Sequence, residues 1–414
     1  MNDAHLAPGY LRFAVKNRRF LAFGLLMAYG SSVGQTFFIG VFGPSIQAEF
    51  GLGHGAWGTI YMAGTLASAA LLPFTGRWID RIALRPYALA VCAGLAIACL
   101  AAALTPSAGF LILVIFLLRQ SGQGLASHVS VTAMVKYFRH NRGKAIALAS
   151  LGHPLARAGM PLAAVALIAL FGWRATYAIC AVLVVLVLLP SIAWLLADGT
   201  EARLFDPQSA RQRKSSTPGA PDQRLGDLLR DRFFYLVMPG IIAPSAIDTA
   251  LFFHLLTIAE IKGWSPAWVT GGYAIYALAV VIVSLLVGKL IDRVGAKPLL
   301  PMTLLPLIVG VAVLAYFDHP AWAWVFLAVA GVGSGIQMTV VPAMWADHCG
   351  PRHIGAVKSA TTTLGVFGSA LGPPLMGWML DANVTLPAMA LASMFYMAVA
   401  CALMWMACRT QLRN

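Results

Sequence analysis

Residues 266–297 read PAWVTGGYAIYALAVVIVSLLVGKLIDRVGAK, and this stretch determines the fold class. Its first part, 266–288, holds no charged residue and shows no strict alternation of apolar and polar positions. An apolar run of about 20 residues is what an α-helix needs to cross a hydrocarbon core of ~30 Å. Because lipid offers no hydrogen-bond partners to the backbone, such a run must be helical, and the missing alternation argues against a barrel strand. The stretch therefore predicts a transmembrane helix that ends in a basic loop.

The same pattern recurs along the whole chain. Of its 414 residues 59% are hydrophobic and 11% are charged, with a mean hydropathy of +0.78. Soluble domains carry about 25% charged residues, so too few polar side chains remain here to cover a surface in water. The composition predicts an all-α integral membrane protein with twelve transmembrane helices. We number them segments 1 to 12, and place them at 20–46, 55–76, 86–104, 109–135, 145–170, 173–197, 233–258, 266–288, 297–317, 321–346, 357–380 and 385–407.

Basic residues predict the orientation of these segments. If the N-terminus is cytoplasmic, 25 of the 29 Lys and Arg fall in cytoplasmic stretches, and only Arg174 and Lys262 fall in outside loops. This asymmetry is the positive-inside rule in strong form. It predicts a multi-pass protein of the cell inner (plasma) membrane with both termini in the cytoplasm. It also accounts for the net charge of +14, so we expect no nucleic-acid partner.

The longest polar stretch separates two halves of the chain. We expect an N-terminal six-helix bundle at 1–197, a flexible cytoplasmic linker at 198–231 with a short amphipathic helix at 225–229, and a C-terminal six-helix bundle at 232–414. The six Cys are scattered at no metal or redox spacing, so we expect no metal and no cofactor. A phosphate-binding loop, an H-E-x-x-H motif and a nucleophile elbow are also missing, which predicts neither an ATP-driven pump nor an enzyme.

The two halves share a repeat. Gly76-Arg77-Trp78-Ile79-Asp80-Arg81 follows segment 2, and Gly288-Lys289-Leu290-Ile291-Asp292-Arg293 follows segment 8, with an offset of 212 residues. The same offset relates three further pairs, which are Tyr61 and Tyr273, Gly143 and Gly355, and Pro161 and Pro373. One offset across separate landmarks indicates duplicated, pseudo-symmetric six-helix units.

The G-x-x-x-D-R loop in both halves resembles the signature of the major facilitator superfamily. The second copy matches fully, and the first departs where Ala83 replaces the second Gly, whose counterpart is Gly295. The resemblance implies two bundles that rock around a substrate site near the membrane midplane, and a monomeric transporter. It also implies a conformational-gating role for one set of loop residues: Gly76, Asp80, Arg81, Gly288, Asp292 and Arg293.

A finer resemblance concerns the entry to segment 5. Tyr137-Phe138 followed by Asn141-Arg142-Gly143-Lys144-Ala145 resembles the corresponding loop of the monocarboxylate and oxalate/formate porters. Segment 1 lacks the acidic or Lys residue, and segment 8 lacks the Asp and Arg, that animal monocarboxylate carriers place there. The resemblance therefore implies a subfamily, but none of that subfamily's substrate-binding residues.

Three charged residues fall near the predicted midplane. Ionisable residues in membrane segments cost roughly 2.5–3.5 kcal/mol each on insertion scales and usually face a wet cavity. Arg119 in segment 4 and Arg157 in segment 5 would repel each other unless an anion or a carboxylate lies between them, so we interpret them as a clamp for a carboxylate substrate. The alternative is a structural ion pair with Asp248 of segment 7, a residue that could instead be a proton-coupling site.

Other polar groups at useful depth complete the set of candidates. His128 and His153 could titrate near neutral pH and are proton-coupling candidates, although a neutral His hydrogen-bonded between helices is an open alternative. For substrate binding we add residues that line the predicted path but could equally serve helix packing: Gln35, Tyr61, Tyr273 and Gln337.

The functional hypothesis is a secondary active transporter that moves a small organic anion, a mono- or dicarboxylate, by proton-coupled symport or by exchange. The partners would be that substrate and the lipid bilayer. One alternative is an exporter of amphipathic or cationic compounds of the multidrug type, in which the arginines are structural. A second alternative is a membrane sensor that keeps the fold without transport.

Overall fold

The computed structural model describes residues 12–138, 141–197, 230–349 and 354–412. Within these ranges the regular secondary structure is helical throughout, with no strand. The predicted linker 198–231 lies outside the described residues apart from its last two positions, and so does the short helix expected at 225–229. The α-helices, numbered α1 to α18, are Arg18–Gly30, Thr36–Ile39, Gly43–Phe50, His54–Thr75, Leu84–Ala103, Phe110–Leu118, Ser127–Tyr137, Arg142–Ser150, Gly152–Leu183, Leu189–Leu195, Arg232–Phe253, Leu255–Ile261, Pro266–Gly271, Tyr273–Val294, Leu305–Tyr316, Ala321–Cys349, Ile354–Asp381 and Leu386–Leu412.

Eight helical stretches within the described part of the chain are long and apolar enough to cross a membrane, or nine if the bent pair Arg18–Gly34 and Thr36–Phe50 is one span. One of the eight, Arg142–Leu195, is 54 residues long and contains the non-helical Gly172, at φ 82° and ψ 165°. The all-helical fold class is thus confirmed. The number of twelve spans stays a prediction.

The chain divides into two compact units. The first comprises Met1–Ile39, Ala63–Met160 and Ala166–Lys214, and the second comprises Gly40–Met62, Pro161–Val165 and Ser215–Asn414. Most of predicted segments 1 to 6 falls in the first unit and segments 7 to 12 fall in the second. The last part of segment 1 and the first part of segment 2, within Gly40–Met62, belong by their contacts to the second unit.

The first unit has an apolar core at the end of its bundle where α1 begins. Phe20 and Phe23 of α1 are fully buried, and the ring centroid of Phe20 lies 5.8 Å from that of Phe138. Met134 of α7 and Ala149 of α8 pack into the same cluster. This core fixes α1, α7 and α8 against one another, and so it positions the middle of segment 1, where the helix is interrupted.

The second unit is built around α11. This helix packs against α17 and α18, while α14 packs against α16. At one end of the unit the aromatic ring of Phe253, at the end of α11, stacks on Trp57 with centroids 5.4 Å apart. That contact ties the start of α4 to α11 through side chains that are both at most 2% exposed.

Candidate functional site

Segment 1 is broken at its middle. Helix α1 ends at Gly30, a 3₁₀ turn covers Ser31–Gly34, and Gln35 is extended at φ −84° and ψ 150° before α2 begins. The two parts of the segment are bent by 47°. Irregular backbone at membrane depth is tolerated only where it is buried in protein or lines a cavity, and in transporters such breaks lie at binding sites. The candidate Gln35 therefore lies at the interruption itself.

Segment 4 is irregular at the place where it meets this break. Between α6 and α7 the chain forms a π-helix at Arg119–Ala126. A Cβ on Gly34 would overlap the Leu118 carbonyl oxygen, and a Cβ on Gly122 would lie 2.8 Å from the Gly34 Cα. The two irregular backbones are therefore in direct contact, which only glycine allows at these positions. π-Helical turns occur frequently at functional sites.

Arg119 opens the π-helix and reaches across to the broken segment. Its side chain is 3% exposed, and its Nη1 donates to the Gly34 carbonyl oxygen and to the Thr36 Oγ1, both at 3.4 Å. The break leaves carbonyl groups without their usual helical donors, and a guanidinium is well suited to pair with them. One consequence of the break is thus a polar lining that can hold a buried cation.

Arg157 of α9 contacts the residue that follows Thr36. Its guanidinium carbon lies 4.7 Å from the ring centroid of Phe37, a cation–π contact. Both predicted clamp arginines therefore contact the same short helix, α2, at adjacent positions. The sequence predicted a common depth for the two arginines; the structure adds the piece of chain that they share.

His153 connects α9 to the same region. Its Nδ1 lies 3.4 Å from the Ser31 Oγ, and its Nε2 lies 3.4 Å from the Ser127 Oγ of α7. The imidazole thus bridges the 3₁₀ turn and α7, with one nitrogen able to donate and the other to accept. His128, the other histidine candidate, lies elsewhere, with its Nε2 3.6 Å from a Cβ built on Gly76.

Two further polar groups at the break were missed from the sequence. The Ser32 Oγ and the Gln123 Oε1 are buried and have no hydrogen-bond partner within the described part of the chain. Ser32 lies in the 3₁₀ turn and Gln123 in the π-helix. Buried polar atoms without partners are rare and require an explanation such as a ligand or ordered water. The available signal was the Gly-Ser-Ser run at 30–32, because sharp helix kinks favour Gly/Ser pairs.

These features give a polar, irregular centre inside a long apolar helical chain. A family model described as Major Facilitator Superfamily matches residues 22–373. The chain belongs to the Major Facilitator Superfamily. Its members are multi-pass membrane transporters, and the repeated loop motif predicted this membership.

Solved structures resemble nearly the whole chain in fold. A bacterial homolog of the human lysosomal transporter Spinster, in an inward-facing and occupied conformation, aligns with a TM-score of 0.70 and 17% identity over 97% of each chain. The same homolog in an inward-facing and unoccupied conformation gives a TM-score of 0.69 and 18% identity over 96% of this chain and 98% of that one. At this identity the likeness shows the fold alone.

Curated relatives match a smaller part. Multidrug resistance protein Stp from two strains of Mycobacterium tuberculosis, CDC 1551 / Oshkosh and ATCC 25618 / H37Rv, is 28% identical over 163 residues. The match covers 37% of this chain and 30% of the relative's length.

The two copies of the superfamily loop motif fold differently. In the first copy Gly76–Asp80 forms a 3₁₀ helix, and the Asp80 carboxylate pairs with Lys136 at the end of α7 at 3.7 Å. In the second copy Gly288, Asp292 and Arg293 continue α14, which ends at Gly295 with φ 78°. Arg81 follows the 3₁₀ helix as its C-terminal cap, at φ −106°.

The remaining candidates lie in the second unit. Tyr61 and Tyr273 are at most 1% exposed, and their rings pack on Phe253 at 4.6 Å and on Phe252 at 5.7 Å respectively. Gln337 of α16 donates through Nε2 to the Ile241 carbonyl at 3.5 Å. Asp248 is half-buried on α11. The two tyrosines thus pack on two successive phenylalanines of α11, while Asp248 and Gln337 lie on α11 and α16.

The second unit also contains a contact that sequence reasoning missed. The backbone N–H groups of His54 and Gly55, at the start of α4, donate to the two carboxylate oxygens of Asp381, each at 2.8 Å. A Cβ on Gly58 would lie 2.6 Å from the Pro374 Cα, so α4 and α17 approach closely along a glycine face. A carboxylate at a helix N-terminus is favourable for both hydrogen bonding and the helix dipole. We call this contact the Asp381 cap.

Proposed function

We propose that this superfamily member transports a small organic anion by alternating access. The observation that carries the proposal is the convergence of Arg119 and Arg157 on adjacent residues of α2, next to a helix break. Two guanidinium groups beside one short helix form a positive region, and Arg recognises carboxylates in a planar, bidentate geometry. In the low-dielectric interior a substrate carboxylate would offset the repulsion between the two cations.

The polar atoms at the break support the same site. The buried Ser32 hydroxyl can donate to an anion, and the Gln123 side chain can orient a hydroxyl or a carboxylic acid through its oxygen. His153, held between the Ser31 and Ser127 hydroxyls, lies within the same group of helices and is our candidate for carrying a proton with the substrate. Symport with a proton would then deliver one positive charge beside the clamp for each anion moved.

The membrane arrangement belongs to the same proposal. We infer twelve spans, in which the break at Gly172 divides the 54-residue helical stretch into segments 5 and 6, and α4 and α17 complete the count. Both termini would face the cytoplasm of a cell whose inner membrane holds the protein. The monocarboxylate and oxalate/formate branch is the subfamily that we favour, on the loop entering segment 5.

The clamp is tested by a matched pair of arginine substitutions. Arg157→Gln removes the site cation that rests on Phe37, and Arg174→Gln removes an arginine that rests on Trp173 at 4.6 Å in the same unit. In proteoliposomes loaded and energised alike, we expect Arg157→Gln to raise the KM for a carboxylate about tenfold or more, which corresponds to ~1.4 kcal/mol of lost binding. Arg174→Gln should keep the parent KM.

Two results would count against the anion hypothesis. One is a parent protein that no mono- or dicarboxylate stabilises in a thermal-shift series, since a ligand of the native state must raise its stability. The other is an Arg157→Gln variant with the parent KM for every carboxylate that the parent moves.

A second candidate is export of amphipathic compounds. The partial likeness to a protein named for multidrug resistance favours it. In that case hydrophobic cations would stabilise the purified protein and Arg157→Gln would not impair their efflux, because the arginine would then serve packing alone.

A further inference from the structure

A cavity of about 400 Å³ lies inside the second unit, between α11, α12, α15, α17 and α18. Its walls are aliphatic and thioether side chains, and no lining residue is charged. Ser393 and Tyr396 are the lining residues with hydroxyl groups, and the Tyr396 hydroxyl is occupied as a donor to the Pro239 carbonyl at 3.0 Å. Representative lining residues are Ala250, Leu314, Leu371, Leu375, Met389 and Ala390.

Part of the cavity's lining belongs to an exposed apolar surface. Of its lining residues, Leu371 and Leu375 of α17 and Tyr396 of α18 are 45%, 51% and 42% exposed. Leu391 and Phe395 continue this exposed apolar surface along α18, a helix apolar enough to span the membrane. In a membrane-spanning chain such a surface contacts hydrocarbon. Lipid chains would then be the medium beside the cavity.

The cavity is separate from the polar candidates on α11. Ala246, Ile247, Ala250 and Leu251 line it. With 3.6 residues per turn these positions form one stripe, and Asp248 falls on the opposite side of the helix. A molecule in the cavity would consequently not touch the Asp248 carboxylate.

The cavity also lies on the side of α17 opposite the Asp381 cap. The lining positions Gly368, Leu371, Gly372, Leu375 and Met379 follow one stripe of α17. Pro374, Gly377 and Asp381, which meet the start of α4, follow the opposite stripe. Whatever fills the cavity therefore supports α17 from the side opposite the Asp381 cap.

We propose that this cavity binds one acyl chain of a membrane lipid. An apolar cavity of this kind does not hold water, because water needs two to four polar partners. Its volume falls in the range of ligand pockets, about 300–1,000 Å³, but those pockets carry several placed polar groups that orient a ligand. Here the lining offers only the hydroxyl groups of Ser393 and Tyr396, and that of Tyr396 already bonds to backbone. The lining thus recognises a hydrocarbon chain and no head group. On the topology proposed above, the cavity lies in the outer half of the bilayer.

The test uses the full-length protein in nanodiscs that contain a phospholipid with a diazirine at the end of one acyl chain. After illumination, labelled peptides are identified by mass spectrometry. We expect labels on α11, α17 and α18 at the cavity. Ala390→Phe fills the cavity from α18 and should lose these labels, while Ala398→Phe, on the exposed face of α18 outside the cavity, should keep them.

Folding of each variant is checked by its thermal transition, and Ala390→Leu provides a milder substitution with a partial loss of label. Labels spread evenly over the lipid-facing helices, or unchanged in both Ala390 variants, would overturn the proposal. So would labels that a soluble amphiphile displaces but excess phospholipid does not, since the occupant would then be a transported compound. None of these outcomes depends on whether the transported substrate is an anion.

Discussion

Segments 1 and 4 of the first unit differ from segments 7 and 10, their counterparts 212 positions later. Segment 1 is interrupted at Ser31–Gln35 and segment 4 becomes a π-helix at Arg119–Ala126, whereas α11 and α16 run without interruption through the equivalent positions. The position of Arg119 corresponds to Gly331 and that of Gly34 to Ala246. The first copy therefore keeps irregular, polar backbone around a buried cation, and the second copy keeps continuous helices that pack closely.

On the predicted repeat, this difference would divide the tasks between the two halves. In α16 a Cβ on Gly331 would lie 2.5 Å from the Tyr276 carbonyl oxygen, so this position has no room for an arginine. In segment 4 the equivalent side chain is long, charged and bonded to the broken helix. The buried charge thus lies in the copy whose helices are irregular, and the equivalent position in the other copy is a glycine.

The largest expected effect comes from a substitution at the break in segment 1. Gly34→Ala places a Cβ on the Leu118 carbonyl oxygen, so the π-helix and the 3₁₀ turn must separate. We expect the free energy of unfolding to fall by more than about 3 kcal/mol, because overpacking against backbone cannot relax by a rotamer change. The measurement is the yield and thermal transition of purified protein by fluorescence-detected chromatography.

Gly159→Ala is the matched control for this substitution. It lies on α9 with no atom within 4 Å of the added Cβ, and should be neutral or slightly stabilising. Parent-like behaviour of Gly34→Ala would mean that the contact between segments 1 and 4 is not needed for the fold.

The next effect concerns the buried cation. Arg119→Gln leaves the Gly34 carbonyl and the Thr36 hydroxyl without their charged donor. Hydrogen bonds to charged groups contribute about 1.5–3 kcal/mol, so we expect a destabilisation of that size together with loss of anion transport. Arg119→Lys should recover only part of the stability, because the ammonium group restores the positive charge but not the planar fork of guanidinium donors. A stable Arg119→Gln variant with full transport would show that the charge difference between the two copies is not needed for transport.

The loop motif allows the two copies to be compared by a reciprocal pair of substitutions at one equivalent position. Gly295 ends α14 at φ 78° and ψ 167°, a conformation that only glycine adopts readily, while its counterpart Ala83 has φ −57° and ψ 144°. Gly295→Ala should cost about 1–3 kcal/mol, and Ala83→Gly less than about 1 kcal/mol, as judged by thermal unfolding. Equal effects of the two substitutions would show that the copies share one loop conformation in the membrane.

The sequence predicted the helical class and the superfamily, because these depend on long apolar runs and on a repeated motif. It did not predict the break at Gln35 or the π-helix. Both depend on the contact of Gly34 with Gly122, two residues 88 positions apart that show no pattern of their own. The Asp381 cap was missed for the same reason, since its partner lies 327 positions earlier in the chain.

The smallest expected effect tests a second asymmetry, at the Asp381 cap. In the repeat His54 corresponds to Pro266 and Asp381 corresponds to Ala169, and α13 begins at Pro266 with no side-chain cap. Asp381→Asn keeps one acceptor oxygen and removes the charge, so we expect about 1 kcal/mol or less of destabilisation at this exposed position. The matched control is Asp318→Asn, an exposed carboxylate of the same unit that pairs with Lys262.

Transport separates a cap that only stabilises from one that acts as a gate. A gate must open and close in each cycle, so Asp381→Asn should change the transport rate at saturating substrate while the KM stays that of the parent. Asp318→Asn should change neither quantity. If both variants have the parent rate, the Asp381 cap is a static contact of α4 and α17, and the asymmetry that matters for transport is confined to segments 1 and 4.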